Sequence, residues 1–373
     1  MQSPHDTLAD PIAPSSSAPS PIGPSLWTRR DGLPPLRYHA ARIEVGVPLE
    51  IVDGVFLLRL PLPFALKHIN VYLLPEADGW SVVDTGIDTE ASRQVWESVF
   101  QLPPFAGRPL RQIVVTHHHP DHIGLAGWLA ERCQAPVLMT RGELDVAGRY
   151  ADPARDVVAE RTPLWNEHGL PADVAQGLYR HMPRYGVQVC ALPEQVVEID
   201  PTRPLALGDR FWTPVIGQGH SPDHLSLLRD DGQVLIGGDQ VLPEITPNIA
   251  VWPGGDQNPL RSYLASLQRF EGFDASTLLL PSHRQPTHGI ATRVEEIRAH
   301  HDERLALLLQ ACDRPMTGYE CLPALFGRAL RHEEIGFGLG EAIAHLNFLE
   351  GEGWLVSALD GAGCRRFKRT ARL

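Results

Sequence analysis

The segment Thr116-His117-His118-His119-Pro120-Asp121-His122 constrains this chain more than any other. It follows IVVT (113–116), a short apolar run that reads as a buried strand. In extended backbone, residues two apart point the same way, so His117 and His119 can reach one ion from the strand end. His118, the alternate residue, points away. Pro120 then turns the chain, which lets Asp121 and His122 address a second ion nearby. Imidazole and carboxylate together suit zinc, iron or manganese. Seventeen histidines in 373 residues draw attention to metal binding in their own right.

The rest of the chain frames that segment. Residues 1–38 carry a Pro- and Ser-rich stretch that cannot bury enough apolar surface to offset its ordering entropy, and they read as a disordered tail. Strands are expected at 55–60, 69–74, 80–86, 113–116 and 136–140, with helices at 89–100 and 121–132. Residues 141–186 turn mostly helical. A second strand-rich stretch follows at 211–217, 224–230 and 233–239, then a helix at 258–270 and a strand at 277–283. Strands and helices, a helical insertion, then strands and helices again pack naturally as two sheets covered by helices. A helix begins near Ala291. Beyond it come helices at 318–330 and 338–351 and a two-stranded ribbon turning at DGAG, the order of a winged helix. The expected division is a tail at 1–38, a catalytic domain at 39–291 with an insertion at 141–186, and a linker helix with a small α+β winged-helix domain at 292–373.

Composition narrows the function. The formal net charge of −12 weighs against a broad nucleic-acid surface. Five cysteines, widely spaced and without a C-x-x-C pair, fit free thiols in a reducing cytoplasm better than a disulfide framework. No apolar run approaches membrane-spanning length, and the N-terminus lacks a basic segment followed by an apolar one. No G-x-S-x-G nucleophile elbow is present.

Five motifs in order resemble those of the metallo-β-lactamase superfamily. They are VVDTG with Asp84, the segment 117–122, GHSPDH with His220, GGDQVLP with Asp239, and PSHRQP with His283. The resemblance covers roughly residues 50–290. The region after about 292 is similar to the winged-helix appendage of a branch that includes β-lactamase-like protein 2 and hydroxyacylglutathione-hydrolase-like enzymes. It implies an αββα sandwich of two mixed sheets. It further implies one ion on His117, His119 and His220, a second on Asp121, His122 and His283, and Asp239 bridging both. Asp84 would orient a ligand histidine. Two divalent ions, zinc foremost with iron or manganese as alternatives, would lower the pKa of a bridging water and polarise the bond attacked. Asp121 or a metal-held water would manage protons. Asp223 departs from the family, which more often has Gly there; it is either a neighbour of the ligand His220 or a loop residue. His224 reads as a loop support.

The expected activity is hydrolysis of an ester, thioester or lactone by a metal-bridging hydroxide. The alternative is a phosphodiesterase or ribonuclease of the same fold, suggested by the basic run Arg365, Arg366, Lys368 and Arg369. Against it, residues 313–373 hold eight Lys/Arg and eight Asp/Glu, which reads as a solvated ribbon. A DNA-binding regulator would need donors on the helix GEAIAHLNFLEGEG, which lacks Lys and Arg. A mononuclear iron dioxygenase would not need the complete ligand set. The expected partner is a small-molecule substrate, with no membrane and with a homodimer left open. The resemblance puts the loop 62–70 near the metals, with Phe64 as an apolar contact. The insertion would be a lid carrying Trp165, Arg180, Arg184 and Tyr185 as candidate contacts, and Asn248 a candidate substrate donor.

Overall fold

The computed structural model describes residues 30–181 and 185–371. Strand β1 (Arg37–Tyr38) pairs antiparallel with Thr287–His288, and Thr292 Oγ1 donates to Pro34 O at 2.6 Å. This corrects the expected end of the tail. Arg37 and Tyr38 join the edge of the second sheet, where ladder hydrogen bonds satisfy backbone groups whatever the local composition. Residues 1–29 lie outside the described residues.

The first sheet runs, in spatial order, through β2 (Leu49–Val52), β3 (Val55–Pro61), β4 (His68–Glu76), β5 (Gly79–Val83), β6 (Leu110–Val114), β7 (Val137–Met139) and β8 (Val196–Glu198). β2 to β5 form an antiparallel meander, whereas β5 to β8 are parallel. Parallel neighbours need long crossovers. Helix α1 (Glu90–Val99) links β5 to β6, and α2 (Pro120–Ile123) with α3 (Ala126–Cys133) links β6 to β7. The crossover from β7 to β8 is the insertion, with α4 (Arg141–Ala151), α5 (Val157–Glu167), α6 (Ala172–His181) and α7 (Tyr185–Gln188). Helix α1 starts where expected because the Thr89 hydroxyl caps it, accepting from Ser92 N at 3.2 Å.

The second sheet comprises β9 (Leu205–Leu207), β10 (Arg210–Gly217), β11 (His224–Arg229), β12 (Val234–Gly238), β13 (Leu278–Pro281) and β14 (Thr287–His288), closed at its edge by β1. Among the described residues its one parallel pair is β12 with β13, bridged by α8 (Pro259–Ser266) and a 3₁₀ turn at Leu267–Phe270. The mixed two-sheet sandwich expected from the order of elements is therefore present.

Alternation along the strands builds the layers. In β4, Tyr72 and Leu74 enter the core between the sheets, while Ile69, Val71 and Leu73 face α1 and α3. In β12 and β13, Val234, Ile236, Leu278 and Leu280 face inward, and Leu235 and Leu279 face the outer helices. These strands are apolar on both faces because both faces are covered.

After the second sheet come α9 (Ile290–Ala311), α10 (Leu322–Phe326), α11 (His332–Gly351) and the antiparallel ribbon of β15 (Leu355–Leu359) and β16 (Arg365–Arg369). Helix α11 begins six residues before the expected 338, across Gly336, Gly338 and Gly340. Helix-breaking propensity is outweighed by packing. A Cβ on Gly338 would lie 2.4 Å from Leu330 Cδ1, and one on Gly340 would lie 3.0 Å from Ala250 Cβ. Among the described residues this unit has no core of its own: Leu322, Leu325, Leu339, Ile343, Leu346, Leu349 and Phe367 belong to one apolar cluster with Trp165 and Leu178 of the insertion, Tyr263 of α8 and Leu235 and Leu279 of the second sheet. Among the described residues, no helix is long and apolar enough to cross a membrane.

Candidate metal centre

Both sheets end their parallel strands at the same edge. Asp84 follows β5, the segment 117–122 follows β6, Asp239 follows β12 and His283 follows β13. His220 lies in the turn between β10 and β11. This is the usual place for a site in a sheet with parallel strands, beyond their carboxyl ends.

The ligand atoms converge. His117 Nε2 lies 2.9 Å from His119 Nδ1 and 3.2 Å from His220 Nε2. On the other side, His283 Nε2 is 3.4 Å from Asp121 Oδ2, and His122 Nε2 is 3.9 Å from Asp121 Oδ1. Asp239 Oδ2 stands between the groups, 3.4 Å from His122 Nε2, 3.6 Å from His283 Nε2 and 3.7 Å from His220 Nε2. Three sets of ligands each fit one ion: His117, His119 and His220; His117, His122 and Asp239; and Asp121, His122 and His283. All seven expected ligands are thus brought together.

Four of the five rings are aimed by what holds their other nitrogen. Asp84 Oδ2 sits 2.7 Å from His122 Nδ1, and Asn248 O and His68 O accept from His220 Nδ1 and His283 Nδ1 at 3.1 and 3.2 Å. The Thr116 hydroxyl donates to Asp84 Oδ2 at 2.9 Å and lies 3.0 Å from His117 Nδ1. Such contacts fix tautomer and ring plane. Asp84 sits in the left-handed region, φ 64°, which ends β5 and turns its carboxylate back to receive Thr116 N at 2.8 Å. Asp84 therefore stands behind His122 and belongs to none of the three ligand sets.

Burial and charge sort the cluster. Burial, and then the neighbouring imidazoles, hold His117 and His119 well below the usual histidine range. Burial also opposes charge on His283, but Asp239 and Asp121 outweigh it and hold that ring at about 10. His122 is raised in the same way by Asp84, Asp239 and Asp121. The protein groups alone thus balance these carboxylates with protons, which is the role a cation takes when the protons leave. Among the described residues the buried Asp239 Oδ1 has no hydrogen-bond partner, although Asp239 N donates to His224 Nε2 at 3.0 Å. A buried carboxylate oxygen without a donor, among imidazole nitrogens, fits divalent metal ions. Gly238, at φ +54°, makes this turn; a Cβ there would fall 2.5 Å from His224 Cε1. His224 supports the loop, as expected.

The remaining candidates take varied places. Phe64 is exposed, at 42%. The Asn248 amide donates to Glu341 Oε2 of α11 at 3.3 Å. The Tyr185 hydroxyl donates to His118 O at 2.7 Å, behind the ligand segment, and its ring packs on the first-sheet core. Trp165 is buried and stacks on Tyr179, so it is a packing residue. Arg180 is exposed, and Arg184 lies outside the described residues. Sequence reasoning missed Glu143, a fully buried carboxylate bonded to His118; its position in the first turn of a helix carries no motif that marks it. Asp223 is a loop residue whose Oδ2 accepts from Gly142 N at 3.0 Å.

The Metallo-beta-lactamase superfamily profile matches residues 65–283. The chain belongs to this superfamily. The family's separate C-terminal domain, Metallo-beta-lactamase-like, matches residues 305–370. The probable metallo-hydrolase YqjP of Bacillus subtilis (strain 168) is 25% identical over 83% of this chain and 96% of its own length. The crystal structure of a Beta-lactamase domain protein from Burkholderia ambifaria is 37% identical, with TM-score 0.82 over 90% of this chain and 98% of that one. A metallo-beta-lactamase family protein of Thermus thermophilus is 28% identical, with TM-score 0.74 over 86% of this chain and 100% of that one. This superfamily member is a metal-dependent hydrolase with its histidine and aspartate cluster at the shared sheet edge.

Proposed function

We propose that the chain is a dinuclear enzyme, most suited to zinc, that hydrolyses an ester, thioester or lactone of a small molecule. The observation that carries the two-ion reading is Asp239, whose Oδ2 lies 3.4–3.7 Å from ligand nitrogens of both groups. His117, His119 and His220 would hold one ion; Asp121, His122 and His283 the other. When bound, such ions supply a water that is nucleophilic at neutral pH and a Lewis acid for the bond attacked. Asp84 orients His122. Asp121 is the more open ligand carboxylate, its side chain 16% exposed against 9% for Asp239, which favours it for taking up a proton at Oδ.

The small-molecule reading is supported by the basic run of β16. Arg365 pairs with Glu167, Arg366 with Asp360 and Glu320, and Arg369 with Asp313. Arginines engaged this way are poor phosphate contacts. The helix and ribbon order of the C-terminal unit supports a winged helix and the branch that carries one. Free thiols at all five cysteines support a reducing, cytoplasmic setting.

The test is a screen of metal-loaded protein against thioesters, lactones, β-lactams, phosphodiesters and single-stranded RNA. Turnover of an ester, thioester or lactone, lost in His117→Ala, is expected. Cleavage of RNA without turnover of these substrates would install the nuclease reading instead.

A further inference from the structure

Glu143 occupies the first turn of α4, in the insertion, and is wholly buried. Its two carboxylate oxygens serve two different segments. Oε2 accepts from His118 N at 3.0 Å and lies 2.6 Å from His118 Nδ1. Oε1 accepts from Asp223 N at 2.9 Å. The tie is returned, since Asp223 Oδ2 accepts from Gly142 N at 3.0 Å and Asp223 O accepts from Thr140 Oγ1 at 2.8 Å. One segment carries His117 and His119 on either side of His118. The other carries His220, three residues before Asp223.

Those three histidines are one ligand group. The second group is supported elsewhere, by Asp84 behind His122 and the His68 carbonyl behind His283. Each group thus has a buried carboxylate behind it, Glu143 for the first and Asp84 for the second, with Asp84 reaching His117 as well through Thr116. We propose that Glu143 is a positioning residue dedicated to the three-histidine ion site, and that its carboxylate sets the affinity of that site while leaving the Asp121–His122–His283 site intact. The proposal rests on the two-ion reading above. It also gives Asp223, which stands where the family more often has Gly, a role: it locks the His220 turn to the start of the insertion.

The physical reason is specific to a carboxylate. It accepts at both oxygens, with a backbone N–H on each and the His118 ring as well. An amide accepts at one end only and turns donors toward donors at the other. The two segments would then lose their common anchor, and the spacing of His220 from His117 and His119 would no longer be fixed. A buried ligand support of this kind is worth roughly ten- to a hundredfold in metal affinity.

The experiment is a titration of chelator-treated full-length protein with zinc by calorimetry and with cobalt(II) by visible absorption, for wild type and Glu143→Gln. Wild type should take two ions. Glu143→Gln should take one with wild-type affinity, with the other weakened roughly ten- to a hundredfold. A second variant, Gly142→Ala, leaves Glu143 in place, but its Cβ would fall 2.3 Å from Asp223 Oδ2 and so disturb the return tie; it should weaken the same ion to a smaller degree. Circular dichroism melts of both variants establish that they fold. A wild type that takes fewer than two ions overturns the dinuclear reading itself. A wild type with two ions beside folded variants with two unaltered affinities, or with both weakened alike, overturns the role of Glu143 alone.

Discussion

The two sheets contribute to the centre in different ways. The first supplies four candidate ligands, His117, His119, Asp121 and His122, from one turn after β6. The second supplies His220, Asp239 and His283 from three separate loops. Nearness in sequence gives the first set its geometry almost for free, since a strand end followed by proline fixes directions over six residues. The second set depends on register between β11, β12 and β13 and on the helices that pack behind them. Local geometry and assembled geometry meet at Asp239, whose Oδ2 lies near His122 from the first sheet and near His220 and His283 from the second.

The largest effect is therefore expected at Asp239. Asp239→Asn keeps the shape but removes a charge shared by both groups, and should cost at least about a hundredfold in turnover with loss of bound metal by elemental analysis. Wild-type metal content in that variant would remove the bridge. Next come His117→Ala and His220→Ala, which belong to one ligand group but different sheets. Both should lose the same ion to a similar extent in a cobalt titration. A large difference between them would mean that sheet of origin matters more than the ligand group.

A smaller effect separates the centre from the C-terminal unit by pH. His345 is buried in α11, with Nδ1 donating to Glu341 O at 2.8 Å and Nε2 3.0 Å from His301 Nδ1. Burial, then Arg304, lowers its pKa to about 3. The unfolded chain, near 6.5, binds the proton first, so this contribution is complete above about 6.5 and is lost as pH falls toward 3. Urea unfolding of wild type should lose roughly 1–2 kcal/mol from this group between pH 6.5 and 5, and His345→Gln should flatten that slope. An unchanged slope would mean that the ring is protonated in the fold. Least affected should be the variant with Arg365, Arg366, Lys368 and Arg369 all changed to Ala. Its hydrolysis of a small ester should stay near wild type, with a slight drop in melting temperature, because exposed ion pairs contribute about 0–1 kcal/mol each. Salt-sensitive RNA binding in the wild type that vanishes in this variant would turn the ribbon into a phosphate-contacting surface.

The same contrast explains what could be read before folding. The two sheets, the central strands and the seven His and Asp residues that converge at their edge were legible because apolar runs and motifs similar to the family's coincide at strand ends. Glu143 was not, because what it does depends on the distance between residues 118 and 223, which no local pattern encodes. The short pairings of β1, β9 and β14 escaped notice because two or three residues have no periodicity. The early start of α11 escaped because three glycines within five residues read as a break, whereas Leu330, Phe326 and Ala250 press on that helix closely enough to require small residues.

The single apolar cluster that runs from Trp165 through Tyr263 to Phe367 bears on how such a chain can change over generations. Two profiles, over 65–283 and 305–370, invite the picture of interchangeable parts. Yet a cut near Cys312 would leave Trp165 and Leu178 of the insertion and the faces of α8 and α9 that pack on α11 facing water, and a foreign replacement would have to match all of them at once. The C-terminal unit is thus not a cassette that recombination can swap in one event. Its apolar positions and those of the insertion have to drift in step, compensating one another across the 198 residues that separate Glu167 from Arg365.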